Sequence, residues 1–408
     1  MKISIRIIVC FIILFPAILK AQENKDKKFG ITFGGFVKTD FWVDTRQVAG
    51  AREDLFALYP QNSLLDKNGE DINDKLIYNF SAITSRLTGK ISGPDAFGAK
   101  TSGIIEADFS GQSNPDINGL RLRIAMIKLN WKKSELLFGQ FWHPMFTTEC
   151  FPTVISLNTG APFNPFLRSP QIRYSNSFGK IKLTATVLSQ RDYANSGPFG
   201  SSSIYMRNAV IPNGNLRLQY KNKKHLAGLA ADYKIIQPLT ETDSMYKTDE
   251  KIGTYAFMAY YKYSNPIFTF KAKYIYGQNM TDFLLLGGYA VSSRDSLTAK
   301  ETYTPINHHT FWANVIYGKK IKFGLFGGYT KCLGTSDKNI GVYYSRGSNI
   351  DYVYRLAPSI SFISNKTQIS TEVEYTVAAY GTPDYEGIVK NSNEIGNIRI
   401  LLTVFYFF

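Results

Sequence analysis

Beyond about residue 30 the chain repeats one pattern: roughly ten residues of alternating apolar and polar character, a turn, and another such segment. A period of two places successive side chains on opposite faces of a strand, so each segment predicts a strand with one oily and one wet face. From Gly34 to Arg46, Val37, Phe41 and Val43 share one face, and Lys38, Asp40 and Asp44 the other. Ile83, Leu87 and Ile91 alternate with Thr84, Arg86 and Lys90, and Ile105, Ala107 and Phe109 oppose Ile104, Glu106 and Asp108. A fourth strand is expected through Arg121-Leu122-Arg123-Ile124 and a fifth over Leu136 to Trp142. The end of the chain is the clearest case. Ile398, Ile400, Leu402, Val404, Tyr406 and Phe408 fall on one face, and Arg399, Leu401, Thr403, Phe405 and Phe407 on the other.

The connections alternate in length. Short turns are expected at Gly93-Pro94-Asp95, Lys132 to Glu135, Asn176 to Gly179, Asn222 to Lys224, Ser264 to Pro266, Gly318 to Lys320 and Ser364 to Lys366. Long polar segments separate them: up to about Lys75, then Gly111 to Asn118, His143 to Pro170, Asp192 to Asn213, Pro238 to Glu250, Asn279 to Ile306, Thr335 to Asn349 and Thr382 to Glu394. This is the signature of an all-β, transmembrane antiparallel β-barrel of about sixteen strands, with short periplasmic turns and long extracellular loops. Unpaired backbone N–H and C=O groups are too costly in hydrocarbon for an open sheet, so a membrane sheet must close. Lys2 and Arg6, the apolar run Ile7 to Leu19 and the Leu19-Lys20-Ala21 junction predict a secretory leader over residues 1–21. Residues 22–408 then form one barrel domain, expected in the outer membrane of a Gram-negative bacterium.

Composition adds the belt and the charge. The 26 tyrosines include Tyr220, Tyr233, Tyr255, Tyr261, Tyr263, Tyr274, Tyr276, Tyr317 and Tyr375 near strand ends or on lipid-facing registers, where an amphipathic ring suits the membrane boundary. Net charge is +15, or about +12 without Lys2, Arg6 and Lys20. Much of that excess sits in turns such as Lys132-Lys133, Lys223-Lys224 and Lys319-Lys320, so net charge alone does not describe a pore. Cys150 and Cys332 have no metal-type spacing, and Cys332 is expected to be a free thiol. No motif calls for a cofactor, a metal or a nucleic acid.

Sixteen strands enclose more space than side chains fill, which predicts an aqueous lumen. The proline-rich segment His143 to Pro170 is the candidate to fold inward and narrow it, the alternative being a loop that stays outside. The faces opposite the apolar ones direct Arg86, Lys90, Arg121, Arg123, Arg173, Lys182, Arg217, Lys271, Lys273, Arg355 and Arg399 inward. Asp40, Asp44, Glu106, Asp108, Glu372 and Glu374 are the acids assigned there. A cationic excess in a low-dielectric tube favours anions, and Arg offers carboxylates a bidentate fork. The alternative role for any single arginine is one half of a salt bridge in the wall, as expected for Arg121 and Arg123 beside Glu106 and Asp108.

Several segments resemble the DcaP-like trimeric outer-membrane porins: GFVKTDFWVD at 35–44, IIEADFSG at 104–111, GLRLRIAMIKLNW at 119–131, LLFGQFWHPMF at 136–146, RSPQIRYS at 168–175 and RLAPSISF at 355–362. The likeness covers the first 175 residues well and the remainder thinly. It implies a sixteen-stranded homotrimeric channel for small anions such as dicarboxylates, with an arginine-lined constriction at Arg121, Arg123, Arg168 and Arg173. Only about a dozen residues separate the leader from the first strand, so the coiled-coil extension of some members is expected to be absent. The partners expected are small anionic solutes and outer-membrane lipid. A phosphate-selective pore, an adhesive barrel, and a barrel enzyme using His308-His309 at the external rim are the alternatives, the last without a Gly-x-Ser-x-Gly nucleophile motif.

Overall fold

Alternating segments joined by turns give consecutive antiparallel hairpins, and here sixteen strands close on themselves. The computed structural model describes residues 29–408, so the leader expected over 1–21 lies outside the described residues. The staves are β1 (Gly30–Asp44), β2 (two pieces, Ile77–Ser81 and Arg86–Ser92), β3 (Lys100–Asp108), β4 (Arg121–Asn130), β5 (Ser134–Trp142), β6 (Arg168–Phe178), β7 (Ile181–Leu188) and β8 (Asn213–Lys221). They continue with β9 (His225–Ile236), β10 (Ile252–Ser264), β11 (Phe268–Gln278), β12 (Glu301–Gly318), β13 (Ile321–Thr335), β14 (Ile350–Ser364), β15 (Thr367–Pro383) and β16 (Val389–Phe407). β1 pairs antiparallel with β16 from Phe36 opposite Phe407 to Asp44 opposite Arg399, which closes the cylinder. No helix of the described residues is long and apolar enough to cross a membrane.

The two faces separate as the alternation requires. Along β16, Ile398, Ile400, Leu402, Val404 and Tyr406 are exposed on the outside, while Arg399, Leu401 and Thr403 are buried within. Along β1, Val37 and Phe41 point out and Lys38, Asp40 and Asp44 in. Tyr220, Tyr233, Tyr255, Tyr261, Tyr274, Tyr317 and Tyr375 lie exposed on the outer face of the staves from β8 onward.

Four expectations need correction. Ile83 does not face lipid: it falls in the break within β2 and is buried beside Trp42, Leu55 and Leu401. The segment expected as a long loop over 382–394 is a short connection, because β15 runs to Pro383 and β16 starts at Val389. The loops at 279–306 and 335–349 contain two further strands, Gly287–Arg294 and Tyr343–Arg346, which pair with each other and extend the wall above β12. Finally, β4 carries a bulge that the alternation did not announce. Glu106 opposes Ile124 and Ala107 opposes Leu122, leaving Arg123 as the extra residue. Arg123 and Ile124 are consequently both turned inward, which is how a bulge re-aims side chains.

The first external loop is pinned near its tip by Arg46, whose Nη2 donates to Asp71 Oδ2 at 2.6 Å. Burial works against the charged form of Asp71. The backbone N–H of Leu64, the Arg46 guanidinium, Ser63 and the N–H of Asn73 outweigh it and hold the carboxyl well below its usual range.

Two outcomes follow from this architecture. Leu402→Arg places a cation on the lipid face and is expected to lower folding stability by about 2–4 kcal/mol, read by denaturant titration in vesicles; an unchanged midpoint would oppose the assignment of that face. Because the Asp71 carboxyl is depressed, its contribution is complete above its unfolded pKa of about 3.9 and is lost as pH falls further. Hydrogen exchange of residues 61–74 should stay slow down to about pH 4 and quicken below it, whereas Asp71→Asn should already exchange quickly at neutral pH.

Candidate functional site

The barrel interior is not uniformly wet. The third external loop, between Trp142 and Arg168, folds into the lumen as one of the two sequence readings had it, and inward-facing polar groups of the far wall hold it. Glu372 accepts the backbone N–H groups of Ile155 and Ser156 at 2.9 and 3.0 Å, and Glu374 accepts Asn158 Nδ2 at 2.9 Å. Lys273 donates to the carbonyls of Met145 and Phe146 and to Asn164 Oδ1, at 2.8–3.1 Å. Around these anchors Met145, Phe163 and Leu167 pack against Met258, Tyr260, Ile275, Trp312 and Phe326 in a buried apolar cluster. Buried polar groups have to be paired, and a loop that brings free backbone N–H and C=O groups to inward Glu and Lys satisfies both sides.

The first external loop also enters the barrel, which its composition did not signal. Its short hairpin, Val48–Ala51 paired with Phe56–Pro60, lies under Arg399 and Arg355. Arg399 Nη2 donates to Asp54 O at 2.7 Å while pairing with Asp44 at 2.6 Å. Arg355 Nη2 donates to Leu58 O at 2.7 Å and its Nη1 to Ala161 O at 3.0 Å. Lys271 donates to Phe151 O and Thr153 Oγ1. The expected lumenal cations Lys271, Lys273, Arg355 and Arg399 are thus inside, but their charge is engaged in holding loops. His308 is buried within while His309 faces outward beside Tyr274 and Tyr329, so the two do not form a joint site.

The opposite wall, β2 to β6, carries the remaining candidates together. Arg123 is ion-paired with Asp108, and its Nε reaches Glu106 Oε1 at 3.1 Å. Arg86 stands 3.6 Å from Glu106 and 3.9 Å from Asp108. Arg121 does not pair with Asp108, its register neighbour. It pairs instead with Asp192, which also pairs with Arg168. Arg173 has no carboxylate partner among the described residues; its Nη2 donates to Trp142 O at 2.7 Å and Gln171 Oε1 at 2.6 Å. Five guanidinium groups therefore face three carboxylates, a surplus of two positive charges. Trp142 supports this row: the Arg168 guanidinium lies 4.9 Å from its ring and that of Arg123 5.9 Å. Lys182 and Lys128 flank Glu135 toward the short-turn end, both partly open to solvent.

All seven residues singled out from the sequence, Arg86, Glu106, Asp108, Arg121, Arg123, Arg168 and Arg173, lie on this wall. Asp192 and Tyr193, whose ring lies 5.4 Å from Arg121, were missed. They sit just past the end of β7, in a segment with no periodicity to orient them, and only the fold brings them across from β4.

No family model matches the chain, and no curated protein matches it. Solved structures do. The outer-membrane channel DcaP of Acinetobacter baumannii superposes with a TM-score of 0.70 at 16% identity, over 93% of this chain and 97% of that one. The chain has the porin fold. OmpT of Vibrio cholerae, an outer-membrane protein, gives a TM-score of 0.55 at 10% identity over 94% and 99% of the two chains. OprB of Pseudomonas putida gives 0.50 at 10% identity over 92% and 94%. The resemblance read from motifs thus holds at the level of fold. A closed barrel of this porin architecture with an apolar outer belt is an outer-membrane protein of a Gram-negative bacterium.

Asp192 is the shared counter-ion of two buried guanidinium groups. Asp192→Ala is expected to cost more than the ~1 kcal/mol of an exposed pair and to approach the ~3–5 kcal/mol of a broken buried one. A denaturant midpoint equal to that of the unmodified protein would show that the pairing carries no stability.

Proposed function

We propose that the chain is a diffusion channel for small hydrophilic solutes with a preference for anions, dicarboxylates being the class an arginine row fits. The observation that carries this reading is the unbalanced wall of Arg86, Arg121, Arg123, Arg168 and Arg173, with three carboxylates among five guanidinium groups. Buried edges of these groups are still unpartnered: Nε of Arg86, Arg121 and Arg173, and Nε and Nη1 of Arg168. Among the five, Arg86 is the most open, with its side chain 21% exposed, and it can meet a passing carboxylate in the bidentate geometry that Arg favours, while the buried four add positive potential behind it. The phosphate-selective alternative relies on lumenal lysines, and here Lys234, Lys271 and Lys273 are already committed to Asp282 and to loop oxygens.

We also propose a homotrimer that uses the outer face of β1 to β5. Tyrosines populate the outer face of β6 and of β8 to β16, whereas β1, the lower piece of β2, β3 to β5 and β7 contain none. That tyrosine-free face has a shallow apolar groove lined by Gly103, Ile105, Ala125, Ile127 and Phe138. A boundary residue is of no use where protein replaces lipid, and small residues let neighbouring backbones approach.

Reversal potentials across a planar bilayer in a salt gradient test the channel. Stepwise conductance with anion preference is expected, with succinate carried better than phosphate. Replacing Arg121 and Arg123 by Ser removes the positive surplus and should abolish or invert the preference. Unchanged selectivity would sink the role given to this wall, and absence of conductance would favour the adhesive reading. Ala125→Trp, which lipid accommodates and a tight interface does not, should convert trimer to monomer in analytical ultracentrifugation, and an intact trimer would exclude this face.

A further inference from the structure

Charge is distributed unevenly along the barrel axis. Five of the seven short turns carry lysine and no acid: those between β4 and β5, β6 and β7, β8 and β9, β12 and β13, and β14 and β15. Lys132, Lys133, Lys223, Lys224, Lys319 and Lys320 are all exposed, and among the described residues none is in an ion pair. The opposite, long-loop end is where acids such as Asp66, Glu70, Asp243, Asp249 and Asp295 stand. An uncompensated cationic ring is therefore confined to the periplasmic rim.

We propose that this rim is a docking surface for the anionic glycerophospholipid headgroups of the inner leaflet. Two features favour lipid over a soluble polyanion. The lysines are not gathered on one patch or groove; they are spread around the perimeter on separate turns, and headgroups are the anions that surround a barrel on every side. They also stand just beyond an outward aromatic row, with Phe178, Tyr220, Tyr317 and Phe362 exposed within a few residues of the same turns. That height is the boundary between hydrocarbon and headgroup, where interfacial aromatics settle and where a cation meets the phosphate of an acidic lipid. The ring would thus fix the depth of the barrel in the leaflet and enrich acidic lipid around it. The inference uses only the membrane orientation set by loop length and is independent of what passes through the lumen.

Trp131 provides a built-in probe. It lies in the turn beside Lys132 and Lys133, with Nε1 donating to Phe97 O at 3.0 Å, while Trp42, Trp142 and Trp312 are turned into the barrel. The full chain, refolded into phosphatidylcholine vesicles, is compared with a fixed small fraction of brominated phosphatidylglycerol or of brominated phosphatidylcholine. At low salt the acidic lipid is expected to quench Trp131 roughly twofold more or better, and molar salt should erase the excess. Replacing the six lysines by Gln should abolish the excess and replacing them by Arg should retain it, with conductance confirming that both variants fold. The salt series on the unmodified protein decides the matter even if the Gln variant does not fold. Equal quenching by the two lipids in the unmodified protein at low salt overturns the proposal. If equal quenching is accompanied by lysine-dependent co-sedimentation with peptidoglycan, the rim belongs to a polymeric partner instead.

Discussion

Backbone hydrogen bonding in hydrocarbon is the constraint from which the rest descends. Each strand edge must find a partner, and the pairing of Gly30–Asp44 with Val389–Phe407 removes the last free edge. That pairing joins segments at opposite ends of the sequence, so the wall has no subset of strands that is complete by itself. Once the wall is closed, every stave must show lipid one face and the interior the other. The two-residue alternation is the chemical imprint of that requirement.

The interior then solves a second problem. Sixteen staves enclose more volume than their own side chains occupy, and the chain fills one side of it with its own loops. Glu372, Glu374, Lys273, Arg355 and Arg399 act as posts to which loop backbone is tied. The apolar cluster around Phe163, Trp312 and Phe326 grows between those posts. On the opposite side stands the β2–β6 wall, where guanidinium groups outnumber carboxylates. Loop anchoring and the cationic surplus therefore fall to different subsets of the same inward-facing charges.

The fold was legible because membrane closure writes itself into local pattern. Strand count, loop alternation and the outward registers of β1 and β16 could all be read from residues two apart. The inward direction of the arginines followed from the same parity. What could not be read were events that break parity or arise across the barrel. The bulge at Arg123 turns two consecutive residues the same way, and nothing in Arg121-Leu122-Arg123-Ile124 distinguishes it from a regular strand. The break in β2 sends Ile83 inward for a similar reason. The partnership of Asp192 with Arg121 and Arg168 links three segments that share no period, and the entry of the first loop depends on carbonyls, which every residue has. Pattern reveals the direction of a side chain and not its occupation, so it could not tell the inward cations that tie down loops from those that do not.

The position of Asp192 has a consequence for how such a channel changes over generations. It hangs from an external connection, outside the staves, so its replacement or displacement by a small insertion leaves the wall's hydrogen-bond ladder untouched. A lineage can thereby revise the charge balance along the β2–β6 wall while keeping the scaffold.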